Sequence, residues 1–214
     1  MAFYPLSSCG ILKVVSSLME DEMTDGIEIQ PFSQETLSKD ILGDLIRKLA
    51  LIAYAAFREP PWDDKFGLPR LHFGLGVDLM CRNARAYLAK TESGLLVGYI
   101  LGYEVLLEVQ EDPRDLTLHT ISGTEDLNYL FEDGQRVFYG DTLCVHHAFR
   151  RQSIGETLAG ALIEELRRQG FTYYIGRTHS QANAPRGLLG KLGFEELPIR
   201  DREYPDRTYW VLRL

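Results

Sequence analysis

Between Leu143 and Leu158 the chain passes from apolar and β-branched residues through a basic turn into the opening of an amphipathic helix, and few folds can hold that succession. A strand delivered straight into a helix N-terminus leaves the first-turn N–H groups pointing outward, with the positive end of the helix dipole behind them. Arg150 and Arg151 precede that turn, so the stretch predicts an anion site suited to a phosphate-bearing ligand. A second reading of the same residues stays open. Ser153-Ile154-Gly155-Glu156 has the S-x-x-E form of a capping box, in which the serine caps the N3 amide and the glutamate reaches back to the serine amide. A helix capped in this way would use its free amides internally and set a carboxylate beside the phosphate.

The neighbouring pattern supports the strand-to-helix reading. Ile154, Leu158, Ala161, Leu162, Ile163 and Leu166 recur at helical spacing, Arg167 and Arg168 fall in a last turn, and Gly170 suits the position just past the end, which predicts a helix from Ile154 to about Arg168. Phe171 to Ile175 is aromatic and β-branched, a strand, so strand, loop, helix and strand form one unit with a parallel pair. Upstream, Ile27-Glu28-Ile29 alternates as a first strand. Ile41, Leu42, Leu45, Ile46, Leu49 and Ile52 mark a helix reaching about Phe57, where Pro60-Pro61 stops it. Ala86–Ala89 and Leu95–Leu101 flank a turn at Thr91–Gly94 and read as a hairpin, and the tail from Tyr204 ends in an alternating strand. The stretch from Val109 to Gln135 is too long for a hairpin loop and holds a short helical pattern near Glu125 to Phe131.

Arg150-x-x-Ser153-x-Gly155 after a strand ending in Val145 resembles the R/Q-x-x-G-x-G/A signature of the GNAT superfamily of acyl-CoA-dependent N-acyltransferases, in the small bacterial-type members of unassigned substrate. Asn183-Ala184-Pro185-Arg186-Gly187-Leu188-Leu189-Gly190-Lys191-Leu192-Gly193-Phe194 resembles its second block, N-x-x-A-x-x-L-Y-x-K-x-G-F, and Phe57-Arg58-Glu59-Pro60-Pro61-Trp62 resembles an aromatic-x-x-P-P-W turn found after the first helix of some members. The departures are specific. Ser153 stands where the family usually has glycine, Pro185 replaces an alanine, Asn183 lies one residue nearer the glycine than is common, and Leu189 stands where many members carry a tyrosine that protonates the departing thiolate. The resemblance covers roughly Gly26 to Leu214 and implies a mixed α/β domain with a twisted, mostly antiparallel sheet, a central parallel strand pair and flanking helices. It implies acetyl-CoA as cosubstrate. Its pantetheine arm would lie along the backbone of Leu143, Cys144 and Val145, and its pyrophosphate would lie on Arg150, Arg151, Gln152, Ser153, Ile154, Gly155, Glu156 and Thr157, with Asn183 nearby.

An ammonium ion cannot attack a thioester, so the acceptor amine must lose a proton to a base close by. The family often has an acidic residue about four positions before the last valine of this strand. Asp141 occupies that place, and Tyr139 occupies the place where other members carry a glutamate; the two-residue strand period puts Tyr139, Asp141, Leu143 and Val145 on one face. Asp141 bonding to nearby backbone or to the basic loop is the equal alternative. His146 and His147 are secondary candidates that an extended chain would point to opposite sides, and Tyr129, Tyr173 and Tyr174 could supply an acid. Cys144, in the central strand, reads as a small core residue, and Trp62 as a plug at a rigid turn or a substrate contact.

Cys9, Cys81 and Cys144 are too scattered for a metal site or a disulfide set, no histidine pair finds a third ligand, and a reducing cytoplasm is expected. A net charge of −8 argues against a nucleic-acid or anionic-membrane surface, and no run of about 20 apolar residues is present to span a bilayer. Residues 1–25 read as an extension without signal-peptide organisation, ahead of a domain over residues 26–214. Nine acidic residues between Glu104 and Asp133 face one base, Arg114; if they rim the site they would attract a cationic amine. The expectation is therefore an N-acetyltransferase acting on a primary amine of a small molecule or peptide, with a homodimer among the assemblies allowed. A noncatalytic acyl-CoA-binding or regulatory module is the alternative that the missing glycine and tyrosine keep open. A nucleotide-binding fold lacks its G-x-G-x-x-G or G-x-x-x-x-G-K-[ST].

Overall fold

The computed structural model describes residues 26–32, 39–62, 67–81, 83–105, 127, 131–132, 134–201 and 204–214. The N-terminal extension, Tyr129, most of the acidic stretch and most of the short helix expected near residues 125–131 lie outside them. Seven strands make one sheet: β1 Ile27–Phe32, β2 Arg85–Thr91, β3 Leu96–Val105, β4 Val137–Val145, β5 Tyr173–His179, β6 Glu195–Arg200 and β7 Arg207–Arg213. Their spatial order is β1-β2-β3-β4-β5-β7-β6. All neighbours are antiparallel except β4 and β5, which run parallel through the helix that joins them. β1 continues through Pro31, which an edge strand tolerates because one side of its backbone needs no ladder partner.

Four helices are present among the described residues: α1 Lys39–Phe57, α2 Leu68–Met80, α3 Ile154–Arg168 and α4 Asn183–Lys191. None is long and apolar enough to cross a membrane. α3 lies on one face of the sheet, where Leu158, Leu162 and Leu166 are buried completely with Phe138, Phe149 and Tyr174. α1 and α2 cover the opposite face, packing Leu49, Ala53, Leu75 and Leu79 on Leu88, Tyr99, Leu101 and Cys144. A third cluster around Tyr103, Tyr139, Ile175 and Tyr209 extends that second face across the parallel pair. The β5 strand begins at Tyr173, two residues later than the aromatic run suggests, because Phe171 turns into the α3 core and Thr172 donates its amide to Arg136 O at 2.8 Å.

α2 is not among the elements expected from the sequence, although Leu68, Leu71, Leu75 and Leu79 keep helical spacing and Pro69 sits in its first turn. It supplies one wall of the site described below.

Two glycines of the sheet are required by close approach. A Cβ on Gly102 would lie 2.3 Å from Tyr139 O and 2.4 Å from the Phe138 ring, and one on Gly140 would lie 2.5 Å from the Tyr174 ring. Gly160, in the middle of α3, has open space around its Cα. Gly102→Ala should therefore lower the urea midpoint, whereas Gly160→Ala should raise stability by about 0.5–1 kcal/mol through the helical preference of alanine. Chemical denaturation of the two variants beside the parent checks both signs.

Candidate active site

The site begins where strand pairing ends. β4 and β5 pair from Val137↔Tyr173 to Gly140↔Gly176 and no further, so Asp141–Val145 diverges from Arg177–His179 and a gap opens between adjacent strands. At the same point β4 carries a bulge: Leu101 pairs with Thr142 and Gly102 with Gly140, leaving Asp141 as the extra residue. The bulge overturns the expectation of one shared face. Tyr139 packs with Tyr103 on the face covered by α1 and α2, whereas Leu143 and Val145 lie against Gly155 on the α3 face. Asp141 and Thr142 both look toward the α1–α2 side, and the Cys144 side chain is buried there beside Tyr99. The His146 amide donates to Val97 O at 2.8 Å, so by antiparallel alternation the backbone groups of Cys144 also face β3 and those of Leu143 and Val145 face the gap.

Beyond Val145 the chain makes a short 3₁₀ turn, His147–Phe149, and then the anion loop. Arg151 and Ser153 both have positive φ, 63° and 59°, and an alternation of this kind turns successive amides toward one concave point. Ser153 makes no capping bond, and Glu156 pairs instead with Lys191 of α4 at 2.6 Å. The capping-box reading is therefore not what forms. Among the described residues none of the amides from Arg151 to Glu156 donates to backbone; the first bond of the helix is Thr157 N to Ser153 O at 2.9 Å, with Thr157 Oγ1 on the same carbonyl at 3.1 Å. Arg151, Gln152 and Ser153 are exposed, and Ile154 is buried under the loop. Arg150 turns away from the loop: its Nε donates to Val145 O at 3.0 Å and its terminal nitrogen pairs with Glu59. Asn183 opens α4 with an exposed side chain, and Leu189 packs half-buried against the α3 core.

On the other side of the bulge lies a cavity of about 320 Å³ between α1, α2 and the sheet. Asp141 and Asp78, the latter buried on α2, lie together in its wall as a hydrogen-bonded carboxyl pair. Burial, and then the negative charge of Asp141, push the Asp78 carboxyl up to about 9. Asp141 keeps accessible surface because it looks into the cavity, but crowding on its other sides raises it as well. The 2.7 Å bond from Thr142 Oγ1 and the nearby Arg177 and Arg207 oppose that rise. Such a pair holds one proton between two carboxyls near neutrality. Asp78 was missed in the sequence; the signal available was a lone acid on the leucine-rich face of α2.

Arg70, Arg177 and Arg207 line the same cavity. Arg177 pairs with Asp201, which also accepts from Tyr209 Oη at 2.7 Å and from the Tyr204 amide at 2.7 Å. Arg207 lies over the Tyr204 ring at 4.1 Å and the Trp62 ring at 5.6 Å. Trp62 packs edge-on against Phe57 and His179, the plug expected at the rigid turn, and also lines the cavity. Tyr139 is buried, which lifts its hydroxyl to about 12, and it too lines the cavity.

The remaining candidates fall outside the cavity lining. His146 and His147 do not point apart, because the 3₁₀ turn stacks their rings at 4.3 Å. Burial pushes His146 down to about 4, with His147 and Arg150 adding to the effect. Tyr174 is held in the core between Phe138 and Phe194, and Cys144 is raised to about 12 by burial, so neither is poised to exchange a proton. Of the nine acids between Glu104 and Asp133, Glu104 is buried and tied to Arg136 at 2.8 Å, a structural role; Glu132 is the other one described. Among the described residues no group of three His, Cys, Asp or Glu could hold a metal ion.

The likenesses to known proteins fit this geometry. Residues 50–194 match the Acetyltransferase (GNAT) family. A search of curated proteins gives no match. Among solved structures, the NatC complex bound to Gag peptide and CoA is 15% identical, with 88% of this chain and 98% of that chain covered and a TM-score of 0.58. Ribosomal-protein-alanine N-acetyltransferase from Brucella melitensis is 18% identical over 87% and 99%, TM-score 0.56. Aminoglycoside 6'-acetyltransferase type Ii is 15% identical over 87% and 96%, also at 0.56. At these identities the structures show a shared fold, and the family match over most of the chain shows more: the chain belongs to the GNAT acetyltransferase family and is an acetyl-CoA-dependent acyltransferase.

Proposed function

We propose that the protein transfers an acetyl group from acetyl-CoA to a primary amine of a small molecule or peptide by direct attack, with residues 26–214 as the catalytic domain. The observation that carries this reading is that one strand, β4, leads at its end into an uncapped nest of amides before α3 and at its bulge presents a carboxyl pair on the α1–α2 side. Acetyl-CoA supplies the acyl group as a thioester. The amides of Arg151 to Glu156 and the Arg151 side chain would hold its pyrophosphate, and the gap-facing backbone of Leu143 and Val145 would hold its extended arm. Asn183 stands at the same edge.

Asp141 takes one proton of the acceptor ammonium; the freed nitrogen forms a bond to the acyl carbon and gives up its second proton to solvent, the C–S bond breaks, and the sulfur departs as a thiolate that takes a proton from solvent. Thiols are better leaving groups than amines, so leucine at position 189 is compatible with turnover. Asp78, keeping its own proton, donates to Asp141 and holds it in place. Tyr139 stands as a neutral hydroxyl beside them. The earlier alternative of a noncatalytic binder has no use for a carboxyl pair in the acceptor cavity.

Thiol release from acetyl-CoA across a panel of amines tests the reaction. Asp141→Asn should lower kcat by about 10²-fold while leaving CoA affinity near the parent value, and the acidic limb of kcat/KM should move or flatten. By calorimetry Arg151→Ala should weaken CoA binding about tenfold, whereas Arg167→Ala, at the far end of α3, should leave it unchanged.

The carboxyl pair also couples folding to pH. Asp78 ionises at about 9 when folded against 3.8 for the ordinary group, so the folded chain keeps a proton that the unfolded chain has lost. Its contribution to stability is full below pH 4 and falls as pH rises toward 9. Asp78→Asn removes that fall, so urea midpoints at pH 5, 7 and 9 should show the variant gaining on the parent as pH rises.

A further inference from the structure

We infer that the acyl chain of the cosubstrate lies in the space in front of Gly176, so that the missing side chain there sets which acyl groups are transferred and admits chains longer than acetyl. This rests on the proposed acyl transfer at the same centre. Gly140 and Gly176 face each other on the last rung of the parallel ladder, at the head of the gap that would hold the arm. They are glycine for different reasons. A Cβ on Gly140 would lie 2.5 Å from the Tyr174 ring, so close packing excludes one. Gly176 is buried, yet among the described residues nothing lies within 4 Å of the Cβ it lacks. A close-packed interior fills such room.

Two buried polar groups mark the space as more than a packing defect. Strand alternation puts Gly176 and Thr178 on the same face as Tyr174, and Trp210 of β7 stands directly opposite Gly176 on that face. Trp210 Nε1 and Thr178 Oγ1 are buried, and neither finds a hydrogen-bond partner among the described residues. A space flanked by orphaned donors holds water until a ligand displaces it, whereas an empty defect is lined by apolar atoms alone.

The stereochemistry of the transfer names the occupant. Four groups surround the acyl carbon once the nitrogen has attached. The nitrogen comes from the α1–α2 side, where Asp141 lies in the cavity wall. The sulfur lies toward the arm, along the gap-facing backbone of Leu143 and Val145, and the oxygen takes a gap-facing N–H of β4, which stabilises its developing charge. The chain is left the β5 side, and Gly176 is the β5 residue of that rung.

The test measures kcat/KM for acetyl-, propionyl- and butyryl-CoA by thiol release, with whichever amine of the panel acetyl-CoA acylates fastest, in the parent and in Gly176→Ala. The parent should use propionyl-CoA within about tenfold of acetyl-CoA, and the added methyl should lower the propionyl-to-acetyl ratio by about tenfold or more, the worth of one methylene in a closed pocket. The substitution meets open space, so the urea midpoint should not fall. Calorimetry supplies a readout that needs no acceptor: Gly176→Ala should lose about tenfold more affinity for butyryl-CoA than for CoA itself. An unchanged ratio, a parent that rejects propionyl-CoA by more than about tenfold, a lowered urea midpoint, or equal losses for CoA and butyryl-CoA overturns the inference. Turnover of acetyl-CoA at an unchanged ratio removes the acyl space and leaves acetyl transfer standing. If no amine is acylated, calorimetry decides alone: a selective loss of butyryl-CoA keeps the acyl space and removes transfer to an amine, and an equal loss removes both.

Discussion

The contact between Gly102 and the β4 backbone sets the geometry on which the active centre depends. A side chain there would overlap Tyr139 O, and its absence lets β3 close on β4 with one residue left over. That extra residue is Asp141. The same irregularity reverses the inside–outside alternation, sends Leu143 and Val145 to the α3 face, and coincides with the last rung of the parallel ladder at Gly140↔Gly176. A single local event thus divides β4 into two parts. One half is an ordinary core strand, and the other turns unpaired backbone toward the gap beside β5 and the Asp141 carboxylate toward the cavity.

The two ligand sides are built from different physics. The α3 side uses backbone alone: two left-handed residues, an uncapped helix start and the end of a strand. Such a site tolerates changes of side chain, which explains how serine can stand at 153 in place of glycine, its φ of 59° being open to a short polar residue. The α1–α2 side is built from side chains, and its members come from positions far apart in sequence, with Asp78, Asp141, Arg177 and Arg207 on four elements.

That difference decides what could be read in advance. Periodicity revealed α1 and α3, two apolar runs around a turn revealed the β2–β3 hairpin, and the basic turn before α3 revealed the anion loop, because each is a local pattern written in contiguous residues. Asp141 was found by its place in a strand, but its face was wrong, since a bulge is specified by a neighbouring strand and leaves no mark in β4 itself. Arg150, expected at the phosphate, pairs with Glu59, ninety-one positions earlier, a contact no local pattern encodes. Asp78, Arg177 and Arg207 went unread for the same reason. Their roles exist only after the α2 helix and the β5–β7 pair have been brought around one cavity.

α4 carries a different consequence. None of its residues is buried, and it is fastened at mid-helix by Arg186–Glu196 at 2.8 Å and at its last residue by Lys191–Glu156 at 2.6 Å, both among surface groups that water screens, with Leu188 and Leu189 resting half-covered between them. An element held so lightly exchanges its amide protons by local opening, without any disruption of the sheet.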